Sequence, residues 1–561
     1  LTSTTYLLLN TCVAARIRLL GKKHMTDPVS PVPPVPPVFP VPPVVTAPSF
    51  RITPQHADFF AWVENPAPTH RAAILEAVAG SGKTSTLIQA ARRIPTTQKG
   101  IYVAFNKRVV DDIKGRLPAH VTASTLHSVG YRAVMAHFGK AVDARADTKK
   151  TWKLFDEFTT KNPRLRDYSQ TVTKLVAKAK AIGLVPDNNV GATGLVEDTQ
   201  AVWREDVIER FHIDMPNNNN SDRVVGVAID IAREVLRMGL VFDADHRAVD
   251  FDDQLYLCVA YRLPLTRYKW LLVDEAQDIS PVQRRMIHGM IAMKTGRIIA
   301  VGDKNQSIYG FRGADSSSLD SIASEFDAQS FPLTVTYRCP TSVVDLARAY
   351  VPHLEAVEGA PEGSVTSVML DAIEWRSSDL VVCRNNAPLI TLAYQLLRKR
   401  VACKVLGRDI GAGVMGLVKK LRPKSLPDLL ERAANYELEQ TLKLRAADKQ
   451  AQVEALVDRI ETLRAFAVEA RDLTDLAHAI NSMFADDVVD MVTLSTIHKA
   501  KGGEAPRVVV LDPRRMPARG ARAEWEIQQE RNLCYVAYTR AKEELVFASL
   551  DGSMAFAPAP F

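Results

Sequence analysis

The loop Ala77-Val-Ala-Gly-Ser-Gly-Lys-Thr84 constrains the fold more than any other stretch of this chain. It follows the strand-like run Leu75–Val78 and leads into the helical run STLIQAARR. Gly80 and Gly82 let backbone amides turn inward around an anion, and the amino end of the following helix adds its dipole. Lys83 brings a cation to the outer phosphates, and the Thr84 hydroxyl suits a magnesium ion. Ala79, Gly80, Ser81, Gly82, Lys83, Thr84 and Ser85 are therefore the candidate phosphate cradle. Ala77 stands where the general pattern has glycine. A cradle of this kind needs a strand before it and a helix after it, which demands an α/β core.

A second element completes such a site. In Leu271-Leu-Val-Asp-Glu-Ala-Gln-Asp278 an apolar strand delivers two carboxylates at its end. Asp274 suits magnesium held largely through water. Glu275 suits the base that orients an attacking water. Acid pairs after strands are often only caps, but joined to the upstream loop they describe a site for ATP and Mg2+.

The surrounding pattern is that of a parallel sheet. Strand-length apolar runs at 73–78, 100–104, 270–273 and 297–301 alternate with amphipathic stretches, and each ends in a loop holding Gly, Asp or Asn. Such runs return at 330–336, 379–383, 491–494 and 507–511. Residues 132–250 read as a polar helical insertion with a loose stretch at 217–221. Residues 414–482 read as a solvated helical hairpin rather than a catalytic element. The layout is two α/β units, each interrupted by a helical insert.

Composition bounds the rest. The chain has 561 residues, of which 47% are hydrophobic, so several domains are expected. Lys+Arg 71 against Asp+Glu 64 gives a net charge of +7, which permits nucleic-acid binding without arguing for it. The six cysteines include no CxxC pair, so neither a disulfide framework nor a zinc site is expected. The best membrane candidate, Tyr6–Leu20, is broken by Asn10, Arg16 and Arg18. Its charges follow the apolar stretch, contrary to a secretory signal, although a transit peptide fits the Arg content. Met25 is the expected working start, with a non-native extension before it. Residues 28–48 are a Pro/Val tract with few amide donors, a polyproline spacer or a ligand for a proline-binding protein partner.

The motifs form an ordered series. After AVAGSGKT come YVAFNKR, STLHSVGYR, DFDDQLYL, VDEAQD, VGDKNQSIYGFRGA, VTYRCP, VVCRNNAP, LSTIHKAKGGE and RNLCYVAYTRAKEEL. From about Ile52 to Ser549 this series resembles the superfamily 1 DNA helicases of the UvrD/Rep type. The resemblance implies two RecA-like parallel-sheet motor domains in tandem. The first is expected at 50–131 and 251–329 with its insertion at 132–250. The second is expected at 330–413 and 483–550 with a reduced accessory insertion at 414–482. Residues 1–49 form a disordered arm and 551–561 a tail, too short for a nuclease domain.

Roles carry over by position. Gln55 resembles the residue that reads the adenine edge, with a surface helix residue as the alternative. Gln306 resembles the γ-phosphate sensor linked to the DNA site. Tyr337 resembles the aromatic that stacks on the ATP base, and Glu504 the residue that holds the ribose and the phosphate loop. Arg338 and Arg540 resemble the two arginines that reach the γ-phosphate, so the catalytic set is Lys83, Glu275, Gln306, Arg338 and Arg540. Phe311 resembles a base-stacking platform, supported by Tyr309. Asn106, Thr125, His127, Arg384, Asn386, Thr496 and His498 match motifs that touch the DNA strand, although each histidine could simply brace its loop. The resemblance implies a monomeric, ATP-dependent helicase moving 3′ to 5′ on single-stranded DNA and opening tailed duplex DNA, without a membrane. Its expected setting is the cytoplasm of a bacterial or phage-infected cell. A translocase that strips proteins without unwinding is one alternative. A non-catalytic recombination mediator is another.

Overall fold

A computed structural model describes residues 50–561 apart from 187–191, 212, 214, 217–220, 309–317, 447–449, 486–489, 519, 522–523 and 559–561. The expected Pro/Val arm lies outside the described residues. The residues from Ile52 onward form one compact unit built on two parallel sheets.

The first sheet comprises β1 (Ala72–Ala77), β2 (Gly100–Val103), β3 (Val121–Ser124), β4 (Trp270–Val273), β5 (Arg297–Gly302) and β6 (Ala328–Leu333). Its order is β3-β2-β4-β5-β1-β6, with every pair parallel. The runs WLLV and RIIAVG are buried throughout, as strands covered on both faces require. A two-residue strand, β7 (Val335–Thr336), pairs with β8 (Glu355–Ala356). The second sheet comprises β9 (Ser364–Ser367), β10 (Leu380–Cys383), β11 (Cys403–Leu406), β12 (Phe484–Ala485), β13 (Val492–Thr496), β14 (Ala505–Leu511) and β15 (Ala541–Ala548). Its order is β12-β11-β13-β10-β14-β15-β9, again with every pair parallel.

Two expectations change here. The run at 330–336 is not one strand of the second unit. Ala328–Leu333 joins the first sheet beside β1, and Val335–Thr336 forms the separate pair with β8. Apolar periodicity marks a strand but does not say which sheet it joins. The block at 414–482 is also more than a solvated hairpin. Helices Leu426–Ala446 and Gln450–Glu469 pack together, and Ile460, Leu463 and Phe466 enter the second sheet's core. Asp458 accepts hydrogen bonds from the backbone amides of Asn386 and Ala387, so it caps the helix Ala387–Arg398 from a distance.

The first insertion is helical as expected, and its helices Lys150–Thr159, Ser169–Ile182 and Asp222–Met238 share the first sheet's core. The helix Leu126–Phe138 runs across the expected boundary at 131/132. It crosses the helix Asp253–Ala260 closely, because a Cβ on Gly130 would lie 1.8 Å from the Gln254 carbonyl oxygen. Beside that crossing, Lys150, Lys180 and Asp253 are buried together, with Asp250 partly buried at their edge. Lys150 lies 2.7 Å from Asp253, and Lys180 lies 2.6 Å from Asp250 and 2.8 Å from Asp253. Burial alone would raise the Asp253 carboxyl, but Lys150 and Lys180 outweigh it and hold it at about 2. The five cysteines among the described residues are buried thiols, and no described helix is long and apolar enough to cross a membrane.

Asp253→Asn leaves Lys150 and Lys180 buried with one carboxylate fewer, so it should destabilise the fold by about 3 kcal/mol near neutrality. The depressed pKa means that this contribution is present above the unfolded carboxylate value of about 4 and is lost as the pH falls toward about 2. In chemical denaturation, the gap between wild type and variant should therefore narrow steadily on acidification below about pH 4.

Candidate nucleotide site and nucleic-acid cleft

The phosphate loop leaves β1 and enters the helix Lys83–Arg93, as the strand-to-helix reading requires. Gly80 and Gly82 adopt left-handed backbone, with φ of +73° and +81°. Lys83 Nζ reaches back to the carbonyl oxygens of Ala77 and Val78 at 3.4 and 3.5 Å. Across the loop, the Thr84 hydroxyl donates to Asp274 Oδ2 at 3.1 Å, and the Tyr102 phenol donates to the same oxygen at 2.6 Å. Burial and the neighbouring Glu275 push the Asp274 carboxyl up to about 6. Burial would also raise Glu275, but the charges of Lys83, Lys501 and Arg540 prevail and hold it below the ordinary glutamate value. A hydroxyl and one carboxylate at this spacing suit a Mg2+ ion that keeps waters and phosphate oxygens as its other ligands. Among the described residues there is no cluster of three His, Cys, Asp or Glu side chains for an all-protein cage.

Residues from the second unit close over this loop. The Tyr337 amide donates to the Gly80 carbonyl at 2.9 Å, and the Tyr337 ring stays exposed. Arg338 pairs with Glu504 at 2.6 Å and donates to the Thr539 carbonyl at 3.1 Å, while Lys542 holds the other Glu504 oxygen at 2.5 Å. Arg540 is fully buried and donates to the carbonyls of Val536 and Gly503. Burial, reinforced by Arg338, lowers its guanidinium to about 10, so it remains charged. Its Nη2 lies 3.5 Å from Gln306 Oε1. Lys83, Glu275, Gln306, Arg338 and Arg540 thus converge on one cleft. Glu504 and Arg540 directly precede β14 and β15, so they sit at the amino ends of their strands.

Gln55 turns its side chain toward the segment between the sheets, donating to the Thr334 hydroxyl at 2.9 Å and accepting from its amide at 3.1 Å. His56 is the buried neighbour, 3.2 Å from the Thr86 hydroxyl.

Several residues that brace this set from outside it had no role assigned from the sequence. Lys501 donates to Asp278 at 2.6 Å and to the Gln306 carbonyl at 2.7 Å, and burial raises Asp278 to about 6 despite that ion pair. Gln277 links Glu275 to the Asp303 amide at 2.5 and 3.1 Å. Tyr535 accepts from the Ala79 amide at 2.8 Å and donates to Asp303 at 3.3 Å. All of these residues lie inside quoted motifs. Their partners come from distant segments, so spacing alone could not pair them.

The residues assigned to DNA divide into two groups. Asn106, Thr125 and His127 lie just beyond β2 and β3. Asn106 and Thr125 cap their helices, accepting from the amides of Val109 and Ser128 at 3.0 and 3.1 Å, and burial lowers the His127 pKa. Arg384, Asn386, Thr496 and His498 line a cleft of about 1310 Å3 between the second sheet and the helix Gln450–Glu469. Arg384 is held by Glu530 at 2.7 Å, and the Asn386 amide donates to Asp458 at 2.8 Å. Thr496 caps a short helix, so the sequences STLH and STIH adopt the same strand-to-helix corner in both units. Tyr309 and Phe311 lie outside the described residues.

A family model described as the UvrD/REP helicase N-terminal domain matches residues 63–327, and one described as the UvrD-like helicase C-terminal domain matches residues 422–551. F-box DNA helicase protein 1 of Schizosaccharomyces pombe is 25% identical over 518 residues, covering 84% of this chain and 55% of its own length. F-box DNA helicase 1 of Gallus gallus is 25% identical over 537 residues, covering 86% and 48%. ATP-dependent DNA helicase PcrA of Staphylococcus epidermidis is 30% identical over 131 residues, covering 22% and 18%. The chain spans about half the length of the two F-box relatives. Both are eukaryotic and the bacterial match is shorter, so the similarity gives no support to the bacterial or phage host expected from the compact layout.

A Cβ on Gly80 would meet Thr336 Oγ1 at 2.5 Å and Arg338 Cβ at 2.6 Å. Gly80→Ala should therefore hold the cleft open and lower ATP turnover by at least about tenfold in a steady-state assay.

Proposed function

We propose that this chain, which belongs to the UvrD/Rep helicase family, hydrolyses ATP with Mg2+ to drive movement along single-stranded DNA and to unwind tailed duplex DNA. The observation that carries this reading is the convergence of Lys83 and Glu275 from one sheet with Arg338 and Arg540 from the other. Phosphoryl transfer is stabilised by cations around the equatorial oxygens, and this arrangement supplies them from two bodies that must meet. Lys83 takes the outer phosphates, Glu275 orients the attacking water, and Arg338 leaves Glu504 to meet the γ-phosphate beside Arg540. Thr84 and Asp274 would hold Mg2+, which when bound neutralises phosphate charge. Gln306 touches Arg540 and senses the γ-phosphate. Tyr337 offers its exposed ring to the adenine.

The strand would follow Asn106, Thr125 and His127 on the first unit and the cleft of Arg384, Asn386, Thr496 and His498 on the second. Contacts of this kind go to phosphate, sugar and base face and carry little sequence specificity. The direction is 3′ to 5′, the protein acts as a monomer, and its process is DNA repair, replication or recombination. The short accessory block at 414–482 favours, as a second reading, a translocase that strips proteins without unwinding.

Unwinding assays on 3′- and 5′-tailed duplexes should show displacement from the 3′ tail. DNA-stimulated turnover without displacement from either substrate would leave the translocase. Lys83→Ala removes the phosphate cation and should reduce ATPase by about a hundredfold or more while DNA binding, followed by fluorescence anisotropy, changes little. Wild-type turnover in that variant would overturn the site assignment.

A further inference from the structure

The phosphate loop and the sensor loop are joined by one phenol from the opposite unit. Tyr535 lies in the helix Glu524–Tyr538 and is fully buried. Its oxygen accepts the Ala79 amide hydrogen at 2.8 Å and donates its own hydrogen to Asp303 Oδ2 at 3.3 Å. The same Asp303 oxygen accepts from Gln306 Nε2 at 2.7 Å. Gln306 Oε1 faces Arg540, five residues beyond Tyr535 in sequence. From the other side, the Asp303 amide donates to Gln277, whose side-chain nitrogen donates to Glu275. Asp303, through its backbone amide and its carboxylate, is thus the node where the residues assigned to the water-orienting base and the phosphate sensor meet.

Two nearby contacts fix the helix that carries the phenol. Asn532 lies three residues earlier, and its amide donates to the carbonyls of Lys304 and Ser307 at 3.3 and 2.9 Å. Around it, Val78, Ala79 and Ile308 pack into one apolar cluster with Leu533, Val536 and Ala537. The phenol is therefore aimed by packing and cannot swing to another partner without opening the seam. A buried hydroxyl that both accepts and donates in a dry site holds its two partners at a fixed separation.

We propose that Tyr535 is a positioning residue that couples the two units: its hydroxyl locks the phosphate loop to the Asp303–Gln306 sensor only when the cleft is closed. This rests on the function proposed above. When DNA brings the units together, the phenol sets Gln306 and the Ala79 amide in register. When they part, both bonds break together, and the sensor loses its registration. Tyr535 touches no reacting atom, so its removal should leave basal hydrolysis intact and remove the response to DNA.

The test is Tyr535→Phe in the full chain, which keeps the ring and removes one oxygen. ATP turnover is measured with and without a thymidine oligonucleotide, together with KM for ATP and the thermal midpoint. The expected result is a stimulation by DNA about tenfold or more below wild type, with basal turnover and KM within about twofold. A purely structural role would lower basal and stimulated rates in the same proportion, and that outcome overturns the inference, as does unchanged stimulation. A second measurement places Tyr535→Phe in a Gln306→Ala background. If the phenol acts through the sensor, the added change there should be under about twofold. A full additional tenfold loss would overturn the route through Asp303. Wild-type protein whose turnover ignores DNA would overturn the proposed function itself and this inference with it.

Discussion

Everything distinctive about this molecule depends on the seam where the phosphate loop meets the second sheet. The loop does not stand open to solvent on one domain. Its Gly80 carbonyl is hydrogen-bonded by Tyr337, its Ala79 amide by Tyr535, and its apolar residues Val78 and Ala79 are packed among second-unit side chains. The Gly80 carbonyl, the Ala79 amide and the Gln306 carbonyl are each satisfied by a partner from the other side. Separating the units without water entry would strand those groups, at roughly 1–3 kcal/mol apiece. The seam therefore favours two arrangements, fully engaged or fully hydrated, over a continuum of partial contacts.

The electrostatics of the seam follow from the same closure. Arg338 is neutralised by Glu504, which also holds Lys542. Arg540 instead rests among carbonyl oxygens and meets the Gln306 side chain. In the proposed function one arginine would exchange a carboxylate for a phosphate, while the other is already held among oriented carbonyl dipoles. That asymmetry makes Arg338 the more labile of the two. It also makes Arg540 the group whose desolvation has already been met by folding.

Much of this was legible in the sequence, for identifiable reasons. The phosphate loop, the strand before it and the helix after it are a local structure set by Gly80, Gly82 and the apolar runs, and those signals lie within a few residues of each other. Fully buried strands such as WLLV read clearly for the same reason. Polar or alternating strands, SVTS at β9 and CKVL at β11, gave no comparable run. The assignment of Ala328–Leu333 to the first sheet was invisible because partner choice is a tertiary property. Tyr535, Lys501 and Asp278 sat in plain view inside motifs, yet their meaning lies in partners on other segments. The hairpin at 414–482 looked like solvated surface because its charged face dominates the composition. Its apolar positions, Ile460, Leu463 and Phe466, point the other way into the core.

The placement of β6 has a mechanical consequence. Leu333 is fixed in the first sheet and Arg338 already belongs to the second unit's half of the cleft, so only the four residues 334–337, five Cα-to-Cα steps, join the two. Fully extended, that length spans at most about 18 Å. A rotation of the second unit about this segment would displace Arg338 through a short radius. Arg540 is delivered by the far end of a long helix and has no such leash to the first sheet. The same angular swing carries it along a longer arc. If the proposed cleft opens by rotation about this segment, Arg540 travels farther from the first sheet than Arg338 does.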